Sequence, residues 1–410
     1  MREQIKWHKN VPPKTDCARQ MALMTEAEMR KAHRFHRSFP QYTETPLVPL
    51  DNLAARLGVK RFFVKDESYR FGLNAFKVLG GSYAIARFIA ERLGVDIGTL
   101  DYALLTSDET KKKLGDITFY TATDGNHGRG VAWAANRLRQ KSVVLMPKGS
   151  SAARLANIRK EGADASITEL NYDDAVRLAN EKAEKDPNGV MVQDTAWAGY
   201  EKIPAWIMQG YGTMSFEALS QLRAAGAGRP THIFVQAGVG SLAGSVQGFF
   251  ANVFGDDCPV TTVIEASAAD CLYRSAVAGK LTAVGGDLDT IMAGLACGEA
   301  NTISWEILRN KAAFFVSAPD WVAARGMRVL GNPLRGEPAS GACDTRVISG
   351  ESGAVPAGLA ITVLDDEGYR DLRDALGLGA DSVVLAFSTE GDTDPVRYRN
   401  IVWDGEFPSR

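Results

Sequence analysis

Between Ile117 and Asp194 the sequence alternates between short apolar runs and longer amphipathic ones. Ile117–Thr121, Ser142–Met146, Asp164–Thr168 and Val190–Gln193 read as strands. Val131–Leu138, Ala152–Glu161 and Asp173–Lys185 read as the helices that separate them. Strands alternating with helices of this length imply βαβ units and a parallel sheet, so the stretch predicts one compact α/β domain.

The remainder of the chain has the same character. Val59–Val64, His232–Val235, Val260–Glu265, Phe314–Ser317 and Ser382–Phe387 read as strands. Ile203–Leu222, Cys271–Ala278, Thr302–Lys311, Trp321–Leu330, Ala354–Leu364 and Gly368–Leu376 read as helices. Near the start, Thr25 with Glu28 three residues on has capping-box spacing for a helix to Phe35, and Leu50–Gly58 is a short helix ending at glycine. Residues 1–20 and Tyr42–Pro49 read as an irregular arm and a proline-punctuated connection. With 410 residues there is material for two or three domains.

One lysine is oddly placed for a surface charge. Lys77 stands between Phe76 and Val78, followed by Gly80-Gly81 and a helix read from Ser82 to Leu93. Two readings fit it alone. It is a snorkelling lysine, stem on the core and head in water; or it is a desolvated amine, with a lowered pKa, able to attack an aldehyde.

Four loops, each at the end of an apolar strand, carry the other chemistry-bearing residues. In open parallel sheets ligands sit beyond the carboxyl ends of the strands. Gly238–Gly244 (GVGSLAG) places three glycines and Ser241 before a helix, a cradle for phosphate through backbone N–H groups and the helix N-terminus. A tight turn that needs glycine fits it equally. The loop also comes near the dinucleotide pattern, with Glu265 as the acidic residue nearest the required spacing. Thr123–Gly128 (TDGNHG) is a strand-to-helix corner. Its amides at Gly125 and beyond can hold a carboxylate, Asn126 can donate to a phenolic oxygen, and Asp124 can take a proton. An Asx turn capping the helix accounts for part of that combination. Asp194 is a carboxylate at a strand end next to Thr195-Ala196-Trp197, and a helix cap looks similar. Ser388 and Thr389 are two hydroxyls at the end of a buried strand.

Composition removes several function classes. A net charge of -2 gives no basic character for nucleic acid or an anionic membrane surface. No apolar run approaches the roughly 18 residues that span a bilayer. The N-terminus has no apolar signal core, so a cytoplasmic location is expected. Five scattered cysteines without CxxC indicate neither a zinc site nor a disulfide scaffold.

Taken together, Lys77 and the loops resemble the fold type II family of pyridoxal-phosphate enzymes, the group of threonine dehydratase and the tryptophan synthase β subunit. The motifs occur in that family's order: Phe76-Lys77 for the Schiff-base lysine, Asp124–Gly128 for the Asn-bearing loop, Gly238–Gly244 for the phosphate loop and Ser388 for the hydroxyl facing the pyridine nitrogen. The likeness spans nearly the whole chain. Within the family, NAFKVLGGSYA, TATDGNHGRGVAWAA, MPKGSSAARL, VQDTAWAGYEKIPAWIMQGY and MAGLACGE are similar to the diaminopropionate ammonia-lyases. Where dehydratases place a serine ahead of GNHG, this chain has Asp124. A carboxylate there repels a plain hydroxy-amino acid's carboxylate and pairs with a second ammonium group.

The resemblance implies an α/β fold of two parallel-sheet-based domains with the active site in the cleft between them. It implies a discontinuous large domain, 1–81 and 203–410, and a small one, 82–202. The implied cofactor is pyridoxal 5'-phosphate, held by Lys77, Asn126, Gly238, Val239, Gly240, Ser241, Leu242 and Ser388 or Thr389. A neutral hydroxyl at the ring nitrogen suits β-elimination rather than transamination. Lys77, Asp124 and Asp194 are the implied catalytic residues; Asp124, Gly125, His127 and Asp194 the substrate contacts. Lys77 and Asp124 serve as bases for the L and D faces, and Asp194 either binds a β-ammonium or protonates the leaving group. The implied partners are a small amino-acid substrate and a second copy of the chain, with no metal. Cys271 and Cys297 lie in segments matching the ammonia-lyase pattern; a pair or two reduced thiols are both open, and the expected compartment favours thiols.

Overall fold

A computed structural model describes residues 3–13, 15–123, 125–336 and 342–409. The chain lays down strands β1 (Lys6–Lys9), β2 (Leu47–Pro49), β3 (Arg61–Asp66), β4 (Thr118–Ala122), β5 (Lys141–Met146), β6 (Asp164–Ile167), β7 (Gly189–Met191), β8 (His232–Gln236), β9 (Val260–Ala266), β10 (Phe314–Ala318) and β11 (Val383–Ser388). They form two sheets, one of seven strands in the order β1-β10-β9-β8-β11-β3-β2 and one of four in the order β6-β5-β4-β7. Every pairing is parallel except the two outermost of the larger sheet, β1 with β10 and β2 with β3. Both sheets and the α/β class match the sequence expectation.

β1 and β2 fall where irregular chain was expected. Each is an edge strand with one neighbour. β1 (KWHK) is partly exposed along its length, and β2 ends on Pro49, a residue tolerated at sheet edges. Neither needs the apolar run that marks a strand in sequence. By contrast β8, β10 and β11 are buried at every position, as strands of a sheet covered on both faces must be.

The chain divides into two compact units: Met1–Glu26, Glu44–Ala75 and Met214–Arg410 form the larger; Ala27–Thr43 and Phe76–Thr213 the smaller. The expected bounds differ in three places, Ala27–Thr43, Phe76–Gly81 and Ile203–Thr213, all of which fall in the smaller unit, and the physical reason is packing. Helix Glu26–Arg37 joins the smaller unit through His36, which is fully buried. Its Nδ1 is 2.7 Å from Thr213 Oγ1, and its Nε2 is 3.1 Å from both Leu79 O and Ser82 Oγ. Phe76–Gly81 belongs there too, because the helix that follows Lys77 starts at Val78 rather than Ser82 and runs to Leu93.

That helix is clamped by close backbone approach. A Cβ on Gly130 would lie 2.8 Å from Val78 Cα, and one on Gly210 would lie 2.3 Å from Leu79 O. Only glycine leaves room for these contacts at the first turn after Lys77.

Candidate active site

In the smaller unit, Lys77 is the residue ahead of helix Val78–Leu93. Its Nζ donates to Asp194 Oδ2 in a short ion pair, with the lysine side chain 20% and the aspartate 7% exposed. Asp194 follows β7, beyond the carboxyl end of the strand, as the sequence predicted. His127 belongs to helix Asn126–Arg137. Its Nδ1 lies 3.9 Å from the same Asp194 oxygen, and its Nε2 is 2.9 Å from Val192 O. Three of the residues singled out from sequence therefore meet. Burial alone would push the Asp194 carboxyl up; Lys77, His127 and the hydrogen bond from Lys77 outweigh it and hold the group at about 2.

The strand-to-helix corner is where it was expected: β4 ends at Ala122 and the helix begins at Asn126. Gly125 precedes that helix, and its amide donates to Thr123 Oγ1 at 3.0 Å. Gly128 lets the helix settle on the sheet, since a Cβ there would be 2.7 Å from Val144 Cγ1. Asp124 lies outside the described residues.

The backbone around Asp194 is fixed by a tyrosine and a glutamine. Gln193 N donates to Tyr200 Oη at 2.7 Å. Gln193 Oε1 accepts from Thr121 Oγ1 at 2.9 Å, which ties β4 to the segment carrying the carboxylate. Tyr200 stacks on Trp197 with ring centroids 4.3 Å apart. Tyr211, missed in sequence, packs on Phe76 at 4.7 Å. Burial pushes its phenol well up, against the pull of the Lys77 ammonium. No sequence signal marks it, because a tyrosine on a buried helix face reads as core.

In the larger unit, β8 is the strand at which the connections change direction: β9 and β10 lie on one side of it, β11 on the other. Such a switch point opens a crevice at the carboxyl ends of the strands. The loop after β8 runs into helix Ser241–Phe254, with Gly240 at φ +95° as its cap. The first-turn amides of an α-helix have no intrahelical acceptor, so this terminus presents donors and partial positive charge. Gly238, Val239, Gly240, Ser241 and Leu242 all lie in it. The neighbouring strand β11 is in register, Ala386 opposite Phe234, which brings the two strand ends level. Ser388 and Thr389 are buried there. The Ser388 hydroxyl donates to Ser349 Oγ at 2.7 Å, and Gln236 Nε2 donates to Thr389 Oγ1 at 2.7 Å.

Glu265, the nearest acidic residue for a dinucleotide reading, is committed elsewhere. Its carboxyl oxygens accept from Leu272 N at 2.8 Å and Tyr273 N at 2.6 Å, at the start of helix Cys271–Ala278. Cys271 and Cys297 are thiols, not a disulfide.

In the smaller unit, an amine beside a buried carboxylate suits an aldehyde; in the larger unit, a glycine-rich helix N-terminus with a neutral hydroxyl at the adjacent strand end suits a phosphate and a basic ring. The chain belongs to the pyridoxal-phosphate dependent enzyme family, whose model matches residues 39–364. Its cofactor is pyridoxal 5'-phosphate, and the fold is that of the type II enzymes.

Among characterised proteins, it is 52% identical over 373 residues to a diaminopropionate ammonia-lyase of Salmonella typhimurium, covering 90% of this chain and 91% of that one. Two crystal structures of diaminopropionate ammonia lyase from Escherichia coli superpose on it. One, in complex with an aminoacrylate-PLP azomethine reaction intermediate, gives a TM-score of 0.88 at 46% identity, covering 98% of each chain. The other, in complex with D-serine, gives 0.90 at 47% identity, covering 99% of this chain and 98% of that one. Among the described residues, no helix is long and apolar enough to cross a membrane.

Proposed function

We propose that the protein is an ammonia-lyase that eliminates ammonia from 2,3-diaminopropionate, D or L, and yields pyruvate and a second ammonia. The observation that carries this reading is Asp194: a buried carboxylate, held ionised, whose partner is an ammonium group. The relatives' activity supports it.

Lys77 would hold the cofactor through its amine. The larger unit would hold the phosphate through the loop Gly238–Leu242, and Ser388, or Thr389 beside it, would face the ring nitrogen. Asn126 would donate to the ring's phenolic oxygen. The cofactor, when bound, supplies an electron sink for the pair left at Cα.

The chain's own groups do the rest. Once Lys77 is engaged, Asp194 loses its ammonium partner, and the β-ammonium of the substrate is the charge that replaces it. Asp194 therefore binds rather than donates: with the β-ammonium in the place of the Lys77 ammonium, an adjacent positive charge again favours the ionised carboxylate. It keeps the β-nitrogen protonated, so that when the Cβ–N bond breaks with its electron pair, the group leaves as neutral ammonia. Lys77, released, takes the Cα proton of the L isomer. Asp124 is assigned the D isomer on the sequence motif. Gly125 and His127 complete the substrate contacts. Water then hydrolyses the enamine product to pyruvate and the second ammonia. The reading extends to a cytoplasmic homodimer, which sedimentation of the purified protein tests.

An absorption spectrum decides the first part. The purified protein should be yellow, with a band that changes on adding DL-diaminopropionate, and Lys77→Ala should abolish both. A colourless protein that binds NADH would overturn the reading.

A further inference from the structure

Asn301 stands outside every motif used above and is fully buried. It precedes helix Thr302–Lys311, and its Oδ1 accepts from Ile303 N at 2.8 Å and Ser304 N at 3.2 Å. That half is an ordinary helix cap. The other half reaches the glycine loop. Asn301 Nδ2 donates to Ser241 Oγ at 2.8 Å, and its backbone N donates to Val239 O at 2.7 Å. Ser304 Oγ donates to Asn301 O at 2.9 Å and to Val239 O at 3.4 Å. A Cβ on Gly240 would meet that same Ser304 oxygen at 2.8 Å. One asparagine thus grips the loop on both sides of Gly240.

We propose that Asn301 is a positioning residue for the cofactor's phosphate and acts by fixing which way the Ser241 hydroxyl points. The inference rests on the pyridoxal-phosphate reading of the loop. Its argument is polarity. A hydroxyl has one proton to give and two lone pairs to receive with, whereas an amide NH2 only donates. Because Asn301 Oδ1 is taken by two backbone amides, the group facing Ser241 is the donor. It occupies a lone pair on Oγ and turns the hydroxyl proton away from itself. A phosphate dianion offers acceptors alone, so Ser241 serves it only as a donor. Asn301 sets that sense before the phosphate arrives, and a hydrogen bond to a charged group is the strong kind.

The cap gives a clean control. Asp and Asn cap helices about equally well. Asn301→Asp therefore keeps the helix start but accepts from Ser241 and adds negative charge next to the loop. Asn301→Ser keeps a neutral capping oxygen on a shorter arm and separates lost orientation from repulsion. The holoenzyme and both variants are stripped of cofactor and titrated with pyridoxal 5'-phosphate and, separately, with pyridoxal, which lacks the phosphate.

Asn301→Asp should bind pyridoxal phosphate about a hundredfold more weakly and Asn301→Ser about tenfold more weakly. Ser241→Ala should show the phosphate-specific loss as well. Affinity for pyridoxal should stay at the wild-type level in all three variants. Wild-type phosphate affinity in both Asn301 variants, or equal losses for the two ligands, would overturn the proposal. A wild-type protein that takes up neither ligand would instead overturn the functional reading on which the proposal rests.

Discussion

The Lys77 amine donates to Asp194 Oδ2, joining the residue ahead of one helix to the end of a strand 117 positions later in the chain. Both belong to the smaller unit. The pair has two faces. It keeps a carboxylate ionised in a buried place, and it puts an ammonium where a diamino acid has one to offer.

Asp194→Asn tests the pair by pH and by substrate. Burial works to raise the Asp194 pKa, and Lys77 and His127 reverse that to about 2. A folded-state pKa below the unfolded one stabilises fully above pH about 4 and is lost as pH falls through about 2. The cofactor-free Asn variant should lack this acid-side loss in thermal scans from pH 5 to about 2. With substrate, kcat/KM for diaminopropionate should fall about a hundredfold or more, as when one member of a buried charge pair is removed. The loss for D-serine, which has no β-ammonium, should be smaller. Equal losses would count against the binding role.

Glu217→Gln tests a charge cluster in the larger unit. Glu217 Oε2 accepts from Lys65 Nζ and Arg70 Nη2, each at 2.7 Å, and Oε1 accepts from Arg70 Nη1 at 2.8 Å. Glu67 takes two more bonds from Arg70 at 2.8 Å, so two cations face two carboxylates with no water-exposed member. Burial would raise the Glu217 pKa, but Arg70 and Lys65 hold it well below the usual range. Removing that charge leaves a buried cation uncompensated and should cost about 3–5 kcal/mol. Denaturant unfolding measures it.

Gly130→Ala tests the clamp on the lysine. The added Cβ would sit 2.8 Å from Val78 Cα and N and 3.1 Å from the Lys77 carbonyl carbon. These are backbone atoms, so the helix itself must shift. Overpacking of this kind costs about 1–3 kcal/mol. Activity should fall further than the lowered melting midpoint accounts for, because the displaced atoms belong to the residue that carries the amine.

Ser388→Ala tests the strand end. Under the proposed role, in which Ser388 faces the ring nitrogen, losing its hydroxyl should lower turnover about tenfold and move the absorption band of the bound cofactor. Thr389→Val, which disturbs the bond from Gln236, should move the band less. The reverse order would transfer the role to Thr389.

The larger sheet was legible because β8, β10 and β11 are buried at every position and so announce themselves as apolar runs, and the smaller one because its strands alternate with amphipathic helices. β4 to β7 fall within two residues of the stretches read from sequence. β1 and β2 were not legible, since an edge strand with polar or proline positions satisfies its single neighbour without such a run. Lys77 and Asp194 were each visible as residues, but their pairing was not, because a contact across 117 positions leaves no local trace. Asn301 was hidden differently. A helix from Thr302 was readable, yet only the fold shows that the residue before it reaches Ser241. The place of Ala27–Thr43 in the smaller unit depends on His36, whose partners lie at Leu79, Ser82 and Thr213.

The central claim is the reaction on a diamino acid. The direct measurement is pyruvate and ammonia released by the purified holoenzyme from D- and L-2,3-diaminopropionate, side by side with L-serine and L-threonine. The account predicts turnover of both diaminopropionate isomers, with two ammonia for each pyruvate and far higher kcat/KM than for either hydroxy-amino acid. A strong preference for threonine, with diaminopropionate left intact, would contradict it.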